Sequence, residues 1–349
     1  MTTSESGRVS EAISAVERQI AGLWAPEHGA SPKSRACTAN IVVATAAHDV
    51  RDAVRLATSL TTADLARTFV VHLDPKLPPW GIEASVSAHC QKGEAGVVCA
   101  ERIDLALGTM TYARAASIVD SLAVSEVPTV LVVASAAPAM LVSTLARAAG
   151  RIIVDSEALG LAQTHALASE TQAHFVDLAW QRLYPWRNQV ARCFDDAAVR
   201  PAISAIRRVE ITATGEGSGG RRLLGWLAAR LGWRFASPTE AVDPRHGRIE
   251  IDLRIRPADA PTWAVLGVEI TASLADGEAT FTLLRHGDPP RIDTTWHAPG
   301  AGHGAHSAPI VQRSLAHHVD RAIADTTPDT VLRASLDAAY AYPPKGVAA

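Results

Sequence analysis

The sequence predicts an α/β domain, a mostly parallel sheet with helices on both faces, followed by an α+β domain with antiparallel strands. In the first half, unbroken apolar runs such as NIVVAT at 40–45 and PTVLVVAS at 128–135 alternate with helical stretches. Strands that are apolar on both sides belong to parallel sheets covered on both faces. In the second half, the runs at 247–257, 263–273 and 279–287 alternate apolar with polar residues. That alternation is expected of antiparallel strands with one solvated face.

Taken in order, residues 10–24 place Ile13, Val16, Ile20 and Leu23 on one helical face, with Ser10 as the N-cap. The Pro-, Gly- and Ser-bearing stretch 25–36 reads as a linker. Strands follow at 40–45, 67–73, 85–90, 96–107, 128–135 and 151–156, with helices at 49–66, 113–125 and 139–150. The neighbouring runs 85–90 and 96–107 predict an antiparallel addition at one edge of the sheet. One helix is expected over 170–183 and another from the YPWR junction, then a strand at 207–215 and a strong helix at 219–233. Gly225 inside that helix marks close packing of another element. Residues 299–309, PGAGHGAHSAP, read as a flexible loop, and helices are expected within 308–325 and 328–342. The organisation is therefore residues 1–36 as helix and linker, 37–168 as the α/β domain and 169–349 as the α+β domain.

Composition narrows the function classes. With 349 residues, 48% of them hydrophobic and 20% charged, the chain can build the cores of two domains. A net charge of −3 without a basic block argues against nucleic acid as a partner. No cationic leader precedes an apolar run, and no run is long enough to span a bilayer, so a cytoplasmic protein is expected with no membrane partner. Cys37, Cys90, Cys99 and Cys193 lack CxxC spacing and read as free thiols; a disulfide between Cys90 and Cys99 across the turn 92–96 is the lesser alternative.

The densest feature is VDLAWQRLYPWRNQVARCFD at 176–195, in a chain where aromatics are 5% of residues. Pro185 suits the first turn of a helix and forces the preceding helix to stop near Leu183, giving a helix–proline–helix joint. Asp177, Trp180, Arg182, Pro185, Trp186 and Arg187 form either an internal brace, with Asp177 pairing to Arg182 or Arg187, or a docking surface, since Trp and Arg dominate interface hot spots.

Other candidates carry less. The loop GEGSGG at 215–220 lies between a strand and a helix, where backbone N–H groups at Gly217 and Gly219, with Arg221 and Arg222, would suit a phosphate. It matches neither dinucleotide-binding nor Walker spacing, and an ordinary connection is favoured. His297, His303, His306, His317 and His318 show no converging ligand pattern, so no metal is expected. Asp155, Ser156 and Glu157 read as capping chemistry. There is no nucleophile elbow or Cys–His pairing, so no catalytic residue and no cofactor are expected.

The segment DLAWQRLYPWR resembles the DLxWxRLxPWR segment of the glucose-6-phosphate dehydrogenase assembly proteins called OpcA. Other stretches agree in order: the helix ending in Leu23–Trp24, RACTANIVV, RTFVVHL, VCAERIDL, IVDSEAL and RLLGWLAARLGW. The resemblance covers about residues 9–235. It implies a non-catalytic protein that binds bacterial glucose-6-phosphate dehydrogenase, promotes its active oligomer and activates it allosterically, in support of the oxidative pentose phosphate pathway. Two positions depart from the family pattern. Tyr184 stands where relatives carry a capping Thr or Ser, and Val132 and Val133 stand where paired tryptophans are usual. A sugar-phosphate or dinucleotide protein or enzyme using the loop at 215–222 is the alternative reading.

Overall fold

The computed structural model describes residues 5–25, 33–93, 96–215, 217–245, 247–257 and 264–343. Much of the expected linker, the tip of the turn after Lys92 and Glu216 of the glycine loop lie outside them. The chain divides into two units, Met1–Leu178 with Arg313–Pro328, and Ala179–Gln312 with Asp329–Ala349.

The first unit opens with α1 (Glu5–Leu23), which starts before Ser10, so Ser10 lies inside the helix and does not cap it. There follow β1 (Lys33–Arg35), β2 (Asn40–Thr45), α2 (Val50–Ala63), β3 (Arg67–Leu73), β4 (Ile82–Gly93), β5 (Gly96–Leu107), α3 (Ala115–Leu122) and β6 (Thr129–Val133). Then come α4 (Ala139–Ala146), β7 (Arg151–Val154), α5 (Ser156–Leu159), α6 (Leu161–Glu170) and β8 (His174–Asp177). The strands run β1-β5-β3-β2-β6-β7-β8 in parallel, and β4 adds antiparallel to β5. All six residues of β2 are buried, as a sheet covered on both faces requires. On one face Ile41, Val43, Val70 and Val132 pack with Leu56 and Leu60 of α2 and with Val319 and Ala322 from the returning segment. Val132 and Val133 are both fully buried, which places that departure from the family pattern inside the sheet.

Two expectations for this unit need correction. The helix predicted over 170–183 is instead β8 followed by the five-residue helix α7 (Leu178–Arg182). A four-residue strand is too short to declare its period. Cys90 and Cys99 are not free thiols; they stand directly opposite in the β4–β5 ladder and form a disulfide. Register, which spacing in the sequence does not reveal, brings them together. Cys37 and Cys193 are free, and burial pushes the Cys193 thiol up to about 12, leaving it inert at neutral pH.

Glu101 of β5 organises one end of this sheet. Its Oε1 accepts from Trp24 Nε1 at 2.6 Å and faces Arg35 Nε at 2.8 Å. Its Oε2 accepts from Arg67 Nε at 2.8 Å and Arg35 Nη2 at 3.0 Å, and Arg67 also donates to the Leu122 carbonyl. Glu101 and Arg67 are both buried. Four separate stretches of sequence thus meet on one carboxylate.

The second unit takes in α8 (Tyr184–Arg192), β9 (Ile206–Thr214), α9 (Ser218–Leu231), β10 (Arg234–Ser237), β11 (Glu240–Val242), β12 (Arg248–Arg256), β13 (Val265–Leu274), β14 (Gly277–His286), β15 (Arg291–Ala298) and β16 (Gly302–Pro309). After α10 (Leu315–Ala324), which belongs to the first unit, α11 (Thr330–Ala341) completes it. The sheet order is β10-β11-β12-β9-β13-β14-β15-β16. Most pairs are antiparallel, but β12 runs parallel to β9, because α9 carries the chain across before β12 returns. The antiparallel expectation for 247–257 therefore holds toward β11 and is corrected only toward β9. The stretch 299–309 is also not a loop. Most of it is β16, whose Gly304 lies so close to Trp296 that a Cβ there would sit 2.5 Å from Nε1.

Among the described residues, no helix is long and apolar enough to cross a membrane.

Three outcomes are expected of this architecture. Glu101→Ala, which leaves Arg67 buried without its carboxylate, should lower unfolding free energy by about 3–5 kcal/mol in urea titrations. In Gly225→Ala the new Cβ would lie 2.5 Å from the Ser335 carbonyl and 2.6 Å from the Ala339 nitrogen. Despite better helix propensity, this variant should lose about 1–3 kcal/mol, read from the denaturant midpoint. Asp64, at the end of α2, is pushed from its ordinary 3.8 up to about 6, mainly by burial and then by Asp320. Because the folded value is the higher one, its contribution to stability is present below pH 3.8 and lost as pH rises through 6. Asp64→Asn should therefore raise the unfolding free energy at pH 7 by about 1 kcal/mol after allowance for solvent screening, with the gain vanishing toward pH 4 in urea titrations.

Candidate functional site

The helix–proline–helix joint forms as its residues dictate. α7 ends at Arg182, α8 starts at Tyr184, and Pro185 occupies its first turn, where no N–H is needed. Leu183 stands at the N-cap without a side-chain hydrogen bond, and Tyr184, 62% exposed, is the first helical residue. The boundary between the two units falls within this segment, between Leu178 and Ala179.

Around the joint, Trp180 and Trp186 are each only 4% exposed. Trp186 packs into the core of the second unit with Leu183, Val190 and Phe194, and the Phe194 ring lies 4.6 Å from that of Phe281. The Arg187 guanidinium sits 3.4 Å from the centre of the Trp180 ring, and its Nη2 donates to the Trp180 carbonyl at 3.2 Å. Such a stacked cation is stabilised by the ring quadrupole, the more so when water is excluded. Burial pushes the Arg187 pKa down to about 10, with Asp329 acting in the opposite direction, so the group stays cationic at neutral pH.

Trp180 Nε1 in turn donates to Asp329 Oδ2 at 2.6 Å, while Asp329 Oδ1 caps α11 by accepting from the amides of Val331 and Leu332 at 2.9 and 3.0 Å. Asp177 is buried and accepts from the amide and hydroxyl of Ser156 at 3.1 and 2.6 Å. Asp155 caps α5 through the amide of Glu157 at 3.1 Å, the role read from the sequence. Two partners that sequence reasoning missed are Asp329 and Gln189. The buried Gln189 Oε1 meets His306 Nε2 at 2.7 Å, joining α8 to β16. An Asp immediately before a helical run is a capping signal, but nothing in the sequence ties it to a tryptophan 149 residues away.

The glycine loop has a packing role. Gly217 is left-handed, with φ of 72°, and a Cβ there would sit 2.1 Å from Ile255 Cδ1; at Gly220 it would sit 2.6 Å from Leu253 Cδ1. Gly219 and Arg222 are buried at the start of α9. Arg221 Nη2 donates to the carbonyls of Tyr342 and Ala339 at 3.0 and 3.5 Å, at the C-terminal end of α11. Burial lowers the pKa of Arg221. Arg221, one of the two arginines offered by sequence to a phosphate, is thus engaged with the protein's own carbonyls. His297 and His303 face each other across the β15–β16 ladder, whereas the His317 and His318 rings lie 6.3 Å apart on α10. Among the described residues, no three His, Cys, Asp or Glu side chains are placed to share a metal ion.

Comparison with known proteins gives these features a lineage. A family model described as the glucose-6-phosphate dehydrogenase subunit N-terminal domain matches residues 57–171, and the model described as the C-terminal domain of that subunit matches 173–336. A curated protein of Nostoc punctiforme, provisionally named OxPP cycle protein OpcA, is 29% identical over 167 residues, which are 45% of this chain and 36% of the relative. Its counterpart in a Synechocystis species, under the same provisional name, is 30% identical over 164 residues, 44% of this chain and 34% of the relative. The match thus spans about a third of the length of these relatives. Among solved structures, an oxidoreductase from Sinorhizobium meliloti aligns at a TM-score of 0.38 and 13% identity, over 88% of this chain and 89% of that one. A levoglucosan dehydrogenase in complex with NADH and L-sorbose aligns at 0.40 and 10%, over 86% and 90%. Both likenesses are too distant to bear on function. With consecutive OpcA domain models over residues 57–171 and 173–336, the chain belongs to the OpcA family of glucose-6-phosphate dehydrogenase assembly proteins.

Proposed function

We propose that this chain binds glucose-6-phosphate dehydrogenase in the cytoplasm, assists assembly of its active oligomer and activates it allosterically, without catalysis of its own. The reading is carried by the pair of consecutive family models, both described as parts of a glucose-6-phosphate dehydrogenase subunit. An activator needs no reactive group. It needs only to bind the active state of its partner more tightly than the inactive one, by about 1–3 kcal/mol for a 5- to 150-fold effect.

The geometry supports a division of labour within the joint. Trp180, Trp186 and Arg187 are turned inward, where they brace α7, α8 and the start of α11. The aromatic that α8 leaves in solvent is Tyr184. We assign the contact with the dehydrogenase to the edge of α8 that carries Tyr184, since exposed aromatics serve as interface anchors.

Co-purification with the dehydrogenase, together with its kinetics in the presence and absence of this chain, tests the proposal. A stable complex and a raised kcat/KM are expected; no complex and unchanged kinetics would overturn it. Tyr184→Ser should leave the melting temperature unchanged and weaken the complex about tenfold. Trp186→Ala should instead lose about 3–5 kcal/mol of stability. Unaltered binding by Tyr184→Ser would remove Tyr184 from the interface while leaving the wider reading standing.

A further inference from the structure

In the first unit the chain leaves β2 toward β3 and β5 on one side, and leaves β6 toward β7 and β8 on the other. Loops that part in opposite directions open a crevice beyond the carboxyl ends of neighbouring parallel strands, the usual ligand position in doubly wound sheets. Here the crevice is a cavity of about 370 Å³. That volume lies within the range of small-molecule sites. Its apolar wall includes Val43, Leu56 and Leu315, and its polar groups are Asp49, Asp52 and Ser135. The Ser135 hydroxyl lies 2.8 Å from that of Thr45, at the ends of the two diverging strands.

The chemistry of this cavity opposes an anion. The connection from β2 to α2, Ala46–Ala47–His48–Asp49, contains no glycine. The Ala46 amide, first of the donors that could face a phosphate, donates to the Ala136 carbonyl at 2.7 Å. The positive end of α2 is already answered by Asp49 at its N-cap and Asp52 in its first turn. Nearby, the His48 ring faces Asp49 at 3.5 Å and the Arg55 guanidinium pairs with Asp52, but neither residue lines the cavity. The lining therefore carries two carboxylates and no cation.

We infer that this crevice binds a small organic cation, an ammonium or amidinium bearing an apolar group, and not a nucleotide or a sugar phosphate. The apolar group rests against Val43, Leu56 and Leu315, the charge faces Asp49 and Asp52, and Ser135 accepts a remaining N–H.

Calorimetric titration of the full chain with phenethylammonium chloride, its neutral isostere 2-phenylethanol, NADP and glucose 6-phosphate tests the inference. The ammonium should bind about tenfold more tightly than the alcohol, the gain expected of one charge facing exposed carboxylates. The two phosphates should not bind at this site. The double variant Asp49→Asn/Asp52→Asn should erase the tenfold gap, and Ala158→Trp, at an exposed position on the cavity wall, should abolish binding of both probes. Circular dichroism and melting temperature establish that each variant is folded; if the double variant is not, Ala158→Trp decides alone. Equal affinity for the two probes, no binding by either, phosphate-bearing ligands that compete for the cavity, or unchanged binding in Ala158→Trp would each overturn it.

Discussion

The carboxylate of Glu101 is the constraint on which the first unit depends. A buried carboxylate is costly unless donors surround it, and here two guanidiniums and an indole do so. The donors come from the end of α1, from β1 and from β3, while the acceptor sits in β5, the strand against which β1, β3 and β4 all pair. Satisfying one charge therefore ties together the three strands β1, β5 and β3 and docks the N-terminal helix. The remaining strands add outward from β2 on the other side, and the crevice between β2 and β6 exists because that reversal of direction exists. Hydrophobic burial alone would tolerate several arrangements of such similar Val- and Ile-rich strands. A charge that must meet its particular partners tolerates far fewer.

The tryptophan–arginine joint shows how a prominent sequence signature can serve folding more than contact. Trp186 fills core volume, Trp180 supplies one indole N–H and one ring face, and Arg187 lies on that face. Each demand is geometrically strict. Indole must find an acceptor when buried, and a guanidinium loses its water only where a flat, electron-rich partner replaces it. A surface used for binding can drift with its partner, whereas an internal stack of this kind loses everything if one member changes. The same logic separates Tyr184 from its neighbours, since its ring is bound by none of these demands.

Much of this architecture is legible in the sequence. The apolar runs of β2, β3 and β6 announce a covered parallel sheet, and Gly225 announces the close approach of another helix, which proves to be α11. Features that depend on pairing partners are not legible. Alternation in β12 reports one solvated face but not direction, which α9 sets by carrying the chain across. In β16, glycines, alanines and histidines give no hydrophobic period, because the ladder is held by backbone groups and by Trp296 lying over Gly304. The Cys90–Cys99 bond follows from register, a quantity that exists only once β4 and β5 pair. For the candidate site, the joint and its proline are readable, but the acceptor that holds the Trp180 indole inward, Asp329, lies far along the chain.

The placement of Trp180 and Asp329 bears on how this protein can be cut. Trp180 is the second residue after the chain first enters the second unit, and Asp329 is the first after it re-enters from its excursion through 313–328. Their hydrogen bond therefore fastens two strands of the same passage side by side. A gene fragment ending at Leu178 would surrender Val319 and Ala322 from the core of its sheet, and one beginning at Ala179 would carry α10 as a homeless amphipathic helix. Neither unit is a contiguous stretch of the gene, so separation would require splicing 313–328 onto the end of the first and joining 312 to 329 in the second. A single crossover in the gene would therefore leave at least one of the two units without a segment that it needs.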